Sequence, residues 1–338
     1  MTVAVIGAGL AGSLLALELA DLAVPVRLFD PDPAGASATA LSYGAVAGWA
    51  APPTDLGRLM RQAPRRWRVL QHRHGDLGWR RRWLQLPSLP LPLPCGQVEA
   101  PRLLDRLTPL LQRRGVAVIQ QRVTRLERRG EDWWLQLAAG NNELAPAVVL
   151  ASGAASGDLW PGLSDRLWVS WAGVLELAAW PGGRRGRLLL PARFERLALE
   201  HRAAELDHET WVVDRGLVPW AERALAGQIS LVRPTPLAGT PPDPALMEQH
   251  LRQELEQLDP TLAAAPGRYR QAPVAFCREG PPLAGPVPGA PGLWQFTGFS
   301  AGFSQAPVLA PLLAQALTLR GAQAEAAEQR LRRLGVWG

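Results

Sequence analysis

The chain contains no lysine, so all 36 of its Lys-plus-Arg positions are arginine. This excludes a Schiff-base lysine, a catalytic lysine base and the lysine of a P-loop, and with the last of these goes phosphoryl transfer on a Walker motif. Cysteine is nearly absent: Cys95 and Cys277 stand far apart, too few for a disulfide framework or a cysteine-rich zinc site. Five scattered histidines without an HExxH spacing give no grounds for a metal centre, and none is expected. No apolar run approaches the roughly eighteen residues of a membrane-spanning helix. The N-terminus opens on a strand pattern and lacks the basic start, apolar stretch and small-residue cleavage site of an export signal, so a cytoplasmic location is expected.

What is present is a chain of 338 residues, 47% hydrophobic and 20% charged, with net charge +6. Its length suits one large unit or two connected lobes. A basic surface attracts nucleic acid or acidic substrates, but an arginine-only habit also arises from composition bias; the latter is favoured, and nucleic acid is not the expected partner.

Residues 2–6 form an apolar strand pattern, 10–22 carry helical apolar spacing, and 24–29 form a second strand ended by Asp30-Pro31-Asp32-Pro33. A Gly/Ala/Ser-rich loop over 34–51 precedes an amphipathic stretch at 56–72, after which periodicity fades. Residues 87–94 alternate proline with leucine and serine and must be extended. A helix at 101–114 ends at Gly115, strands follow at 116–119 and 147–151, and 123–127 with 133–137 make a hairpin. From 167 to about 270, short strands at 169–177, 187–190, 210–213 and 229–232 surround one helix at 244–258. A strand at 293–296 and a helix at 306–320 close the chain. The fold class is therefore α/β: a Rossmann-like nucleotide-binding domain with an interleaved, mostly antiparallel α+β second lobe. The expected limits are 1–80, 95–165 and 271–338 for the first, and 81–94 and 166–270 for the second.

Gly7-Ala8-Gly9-Leu10-Ala11-Gly12 fits G-x-G-x-x-G, directly after a strand and at the start of a helix. Gly7 permits the tight turn, Gly9 lets the main chain approach a pyrophosphate, and Gly12 lets helix and strand pack closely, while free amides at the helix start favour the anion. Asp30 ends the second strand, where a carboxylate accepts ribose hydroxyls and disfavours a 2′-phosphate. The spacing alone leaves NAD and FAD both open.

Further along, 35–44 (Gly-Ala-Ser-Ala-Thr-Ala-Leu-Ser-Tyr-Gly) resembles a G-x-S-x-x-A-x-G loop with two extra residues, leaving open whether Ser37 or Ser42 takes its serine role. The segment from Cys95 to Pro101 resembles a G-G-x-v-x-P helix entry, and Val148-Val149-Leu150-Ala151-Ser152-Gly153-Ala154 resembles V-x-A-x-G-A. Residues 280–286 are similar to D-G-x-P-x-I-G-P, and 297–307 to T-G-h-x-x-x-G-x-x-x-A-P. Taken in order over nearly the whole chain, these motifs resemble the D-amino-acid oxidase superfamily, the FAD-dependent amine and amino-acid oxidoreductases that include glycine oxidase, sarcosine oxidase and D-amino-acid dehydrogenase.

The resemblance implies FAD as the cofactor. It places Gly7 to Gly12, Asp30, Ser37, Ser42, Val123, Gly153 and Gly298 around it, with the amides from Gly302 through Phe303 to Ser304 facing the flavin. It implies a small amine or amino-acid substrate, hydride removal from the carbon bearing nitrogen, an imine product, and O2 or a quinone as electron acceptor. Glycine-oxidase-like members carry an arginine in the last glycine-rich turn, where this chain has Ser300 and Ala301, so Arg278 is the expected partner of a substrate carboxylate. Cys277 lies near the position at which sarcosine oxidases attach flavin, but a buried inert thiol is the favoured reading. Tyr43, His201, Trp168, Trp171 and Trp211 are weaker pocket candidates. Two other functions fit the same motifs: oxidation of a modified tRNA nucleoside, suggested by the arginine and the 14 tryptophans, and a flavin-binding subunit without catalysis.

Overall fold

The computed structural model describes residues 1–33, 37–181 and 186–337. Its first turn of chain is β1 (Val3–Ile6), α1 (Leu10–Asp21) and β2 (Val26–Phe29). All four residues of β1 are buried, because apolar side chains leave it on both faces: Val3 and Val5 pack among helices, Ala4 and Ile6 on the opposite side. β1 lies at the centre of a six-stranded sheet, parallel to β2 and to Ala147–Leu150. Leu293–Thr297 and Ala117–Ile119 extend the sheet in parallel on either side, and Leu283–Pro286 closes one edge antiparallel. On one face α1 packs with the helices Ala100–Arg113 and Gly302–Thr318. On the other face lies a three-stranded antiparallel meander, Val123–Arg129, Asp132–Leu137 and Asn142–Ala145. The expected 123–137 hairpin is present and gains a third strand.

The second sheet has nine strands and is antiparallel except where Arg187–Leu189 runs parallel to Trp79–Gln85. Its backbone is the pair Leu167–Leu177 and Gly267–Cys277, in register over their whole length. Leu167–Leu177 is buried at every position, whereas its partner is half-exposed at the sheet edge. That edge position explains why Gly267–Cys277, with its Arg, Gln and Pro, escapes a search for apolar alternation. The strand Trp79–Gln85 escapes it too, since three consecutive arginines interrupt the alternation. The helices Glu195–His201, Pro260–Ala264 and Ala322–Arg333, unanticipated, are short or mostly polar and exposed.

The amphipathic stretch resolves into two helices, Asp55–Met60 and Ala63–His74, the first capped by the Thr54 hydroxyl, which accepts from the Gly57 amide at 3.0 Å. Strands run across three of the expected domain limits: Trp79–Gln85 spans 80/81, Leu93–Val98 spans 94/95, and Gly267–Cys277 spans 270/271. Among the described residues no helix is long and apolar enough to cross a membrane.

Candidate active site

A cavity of about 470 Å³ lies between the two sheets, walled by the β1–α1 turn, the end of β2 and the last glycine-rich turn on one side. Leu167–Leu177 and Gly267–Cys277 contribute Ala172, Val174 and residues 272–275 to the other wall.

The glycine turn is shaped by contacts that no side chain could share. Gly7 has φ +106°, and a Cβ there would fall 2.5 Å from the Ala151 carbonyl oxygen. A Cβ on Gly12 would fall 1.9 Å from the Gly7 carbonyl oxygen, so this glycine lets α1 close onto the turn. Gly9 differs: its Cβ would meet only Thr39 Oγ1, at 3.3 Å, and it lines the cavity. The Ala8 amide donates to Asp30 Oδ2 at 2.7 Å and the Asp32 amide to Oδ1 at 2.8 Å, so Asp30 is fixed beside the turn with lone pairs to spare. Thr39 Oγ1 accepts from the Leu10 amide at 3.0 Å, tying the loop after β2 to the head of α1.

Gly7, Gly9, Leu10, Ala11, Asp30, Ser37, Ser42, Val123, Gly153, Gly298, Gly302 and Phe303 all line the cavity. Ala8 and Gly12 lie behind it and shape the turn instead. Ser304 also lies behind it, because its amide donates to the Ala301 carbonyl at 2.9 Å. The first-turn amides of Gly302 and Phe303 have no intrahelical acceptor, which leaves a donor pair at a helix start. Gln305 holds that start in place, its Oε1 accepting from the Ala301 amide at 3.0 Å. Gly35 and Ala36 of the serine loop lie outside the described residues.

These residues fit a dinucleotide. Besides the glycine cradle, two polar atoms of lining residues, Gln121 Oε1 and Thr297 Oγ1, are buried without a hydrogen-bond partner. Buried polar groups are rarely left so, and a ligand bearing polar groups along its length would supply what they lack.

Arg278 does not line the cavity. Its amide closes onto the Arg166 carbonyl at 3.1 Å, and its guanidinium lies 5.4 Å from the centre of the Trp168 ring and 2.6 Å from Glu279. Besides Arg122, the cavity is lined by Arg196, which sequence reasoning missed. It stands on Glu195–His201, a short helix whose first amides donate to the Asp214 carboxylate at 2.7 and 3.3 Å. Burial raises the pKa of Asp214 above its usual value, against the pull of those amides. Arg196 Nη1 donates to both oxygens of the buried Glu200 at 2.9 Å, and Ser170 Oγ donates to Glu200 at 2.8 Å. Nη2 reaches the Ser300 carbonyl at 3.3 Å, and Nε is buried without a partner. One edge of the guanidinium is thus clamped, and the other is under-used.

The remaining candidates serve packing. Cys277 is buried behind Gly298, and burial pushes its thiol up to about 11. The Tyr43 hydroxyl lies 3.5 Å from the Asp214 carbonyl inside the protein, His201 is exposed at a helix end, and Trp211 stacks on His250. Trp168 and Trp171 are buried outside the cavity lining.

A search of curated proteins by sequence finds no match. Among solved structures, the chain is similar to a glycine oxidase from Geobacillus kaustophilus (TM-score 0.73, 20% identity, 93% of each chain covered). It is also similar to an iminodiacetate oxidase from Chelativorans sp. BNC1 (0.72, 18%, 99% of each). A third similar structure is a fructosamine oxidase from Aspergillus fumigatus (0.69, 17%, 99% of this chain and 88% of that one). The model of the DAO family, described as FAD dependent oxidoreductase, matches residues 2–88 and 93–316. The chain belongs to this family of FAD-dependent oxidoreductases.

Proposed function

We propose that the protein oxidises the C–N bond of a small amine bearing a carboxylate, an amino or imino acid, and that Arg196 binds that carboxylate. The observation that carries this reading is that Arg196 lines the cavity with its guanidinium only partly engaged, Nη1 on Glu200 and Nη2 on the Ser300 carbonyl. Nη2 carries a second N–H beyond the one given to Ser300, a donor suited to a carboxylate, while Glu200 fixes the guanidinium from behind. The nearby walls are small and mostly apolar, from Ala172, Val174, Ala272, Pro273 and Val274, with Gln228 adding an amide. Such walls exclude water and favour a short side chain.

FAD held by the Gly7–Gly12 turn, Asp30 and the amides of Gly302 and Phe303 would supply the two-electron acceptor for the carbon bearing nitrogen. The protein's own task is to orient the substrate by its carboxylate and to keep the amine neutral in a dry cavity, which needs no catalytic acid–base pair. The similar structures, of a glycine oxidase, an iminodiacetate oxidase and a fructosamine oxidase, are also of enzymes acting on amines. O2 and quinones are both suitable electron acceptors. Two buried, unpaired cysteines fit a reducing compartment such as the cytoplasm.

The test is Arg196→Gln, assayed with a dye acceptor on glycine, sarcosine, iminodiacetate, proline and carboxylate-free amines. A charge-assisted contact is worth about 1.5–3 kcal/mol, so kcat/KM for carboxylated substrates should fall roughly 10- to 150-fold, chiefly through KM. Flavin content should stay unchanged, and Arg278→Gln should leave the rate within about twofold. Equal loss in both variants, or activity confined to carboxylate-free amines, would refute the assignment.

A further inference from the structure

We infer that one face of the molecule is a docking surface for an anionic lipid bilayer. The face is built from two pieces that meet at Pro94 and a helix that reaches one of them. The strand Trp79–Gln85 turns through 86–92 into Leu93–Val98, and Trp83 stands opposite Pro94 in that pair. The indole of Trp49 donates to the Pro94 carbonyl at 2.7 Å. Gly48, beside it, sits against the main chain of Arg61 and the ring of Pro64 at the head of the helix Ala63–His74.

The apolar content of this face is unusual for a surface in water. Trp83 is 54% exposed, Trp49 48%, Leu89 39% and Leu91, at the tip of the turn, 75%. These are four of the eleven large apolar side chains exposed among the described residues, all drawn from positions 49 to 91, and Trp49 and Trp83 both meet Pro94. The polar edge of Trp49 is already satisfied by Pro94, so its ring can enter an apolar medium without stranding an N–H group.

The main chain of the tip is suited to the same medium. Pro87, Pro90, Pro92 and Pro94 have no amide hydrogen, and the Leu89 amide is bonded to the Leu86 carbonyl at 3.1 Å. Few main-chain donors therefore remain to be stripped of water when the tip enters the headgroup boundary, where an unmet donor is costly. The extended run expected of these prolines is interrupted by that turn at 86–89 and a bend at 90–91.

Charge supplies the second half. Arg65, Arg68 and His72 are exposed and recur at helical spacing along one side of the helix Ala63–His74, Arg61 is exposed just ahead of it, and Arg81 shares the exposed face of the strand with Trp83. Among the described residues none of Arg61, Arg65, Arg68 or Arg81 has an ion-pair partner. Unpaired arginines flanking exposed Trp and Leu match an interface of acyl chains under anionic headgroups. Nucleic acid would use the cations but not a leucine tip. A second copy docked on a two-fold axis would set these arginines against themselves. Since no described helix is long and apolar enough to span a bilayer, such attachment would lie along its surface.

The experiment is co-sedimentation of the full-length flavoprotein with vesicles, either of equal parts phosphatidylglycerol and phosphatidylcholine or of phosphatidylcholine alone, at low and high salt. Binding should be confined to the anionic vesicles at low salt. Leu91→Asp with Trp83→Ser should weaken it about tenfold or more, and Arg65→Glu with Arg68→Glu should do the same, with the visible flavin spectrum retained as the check on folding. Absence of binding to anionic vesicles would overturn the inference. So would binding that ignores the Leu91–Trp83 variant, or a mixed-sequence RNA that binds while vesicles do not.

Discussion

At the residue scale, the two inner glycines of the turn answer different physical demands and can be separated by the same substitution. A Cβ on Gly9 asks Thr39 Oγ1 to give way by only a few tenths of an ångström, and Gly9 lines the cavity, so Gly9→Ala should fold with little loss of stability and lose most of its flavin. Gly12 has no room, and Gly12→Ala should cost roughly 1–3 kcal/mol by overpacking and lower both melting temperature and flavin content. Thermal melts of flavin-free protein, with flavin absorbance per chain, distinguish the two; equal destabilisation would contradict the geometry. This glycine pattern and Asp30 were legible in the sequence because strand, turn, helix and acid are all local. Arg196 was not. Among 36 arginines nothing marks it, and its placement depends on a cap from Asp214 and a clamp from Glu200 that only the folded chain assembles. Arg278 lies near the last glycine-rich turns in sequence, but Trp168 and Glu279 turn it away.

At the element scale, the cavity wall opposite the glycine-rich turns depends on the pair Leu167–Leu177 and Gly267–Cys277. A bulge in the pairing of Leu167–Leu177 with Arg223–Val232 falls at Gly173–Leu175, next to two cavity residues, Ala172 and Val174. The Tyr269 hydroxyl fills the space above Gly173, where a Cβ would come within 1.9 Å. Gly173→Val should therefore displace Tyr269, destabilise the protein by about 1–3 kcal/mol and change KM more than flavin content. Unchanged melting and kinetics would show that the strand pair yields freely. The first of these strands was legible as an apolar run; its partner, a polar edge strand with Pro273 inside it, carried no such signal.

At the scale of the whole molecule, the buried acids set its response to pH. Burial pushes the Cys95 and Cys277 thiols from 9.0 up to about 11, and raises the hydroxyls of Tyr43 and Tyr269 as well. Each is held neutral in the folded state while its unfolded counterpart ionises. The thiols' contribution is thus fully present below their ordinary value and is lost as pH rises from about 9 to about 11. Melting temperature should fall across that window, and the double variant Cys95→Ala, Cys277→Ala should fall less steeply, by roughly 1–3 kcal/mol per thiol. Identical slopes would mean that the thiols ionise in place.

The two-sheet architecture was legible in outline from the order of motifs, while the limits between lobes were not, since single strands run across them. The central claim is that the cavity between the sheets holds FAD against a small carboxylated amine. Its most direct test is the visible spectrum of the purified protein before and after anaerobic addition of glycine, sarcosine, iminodiacetate, proline and D-amino acids. A flavin spectrum that bleaches with one of these, and is restored by an electron acceptor, is the expected result. A flavin spectrum that none of them bleaches would contradict the claim, and a colourless protein that takes up no FAD would contradict it more deeply.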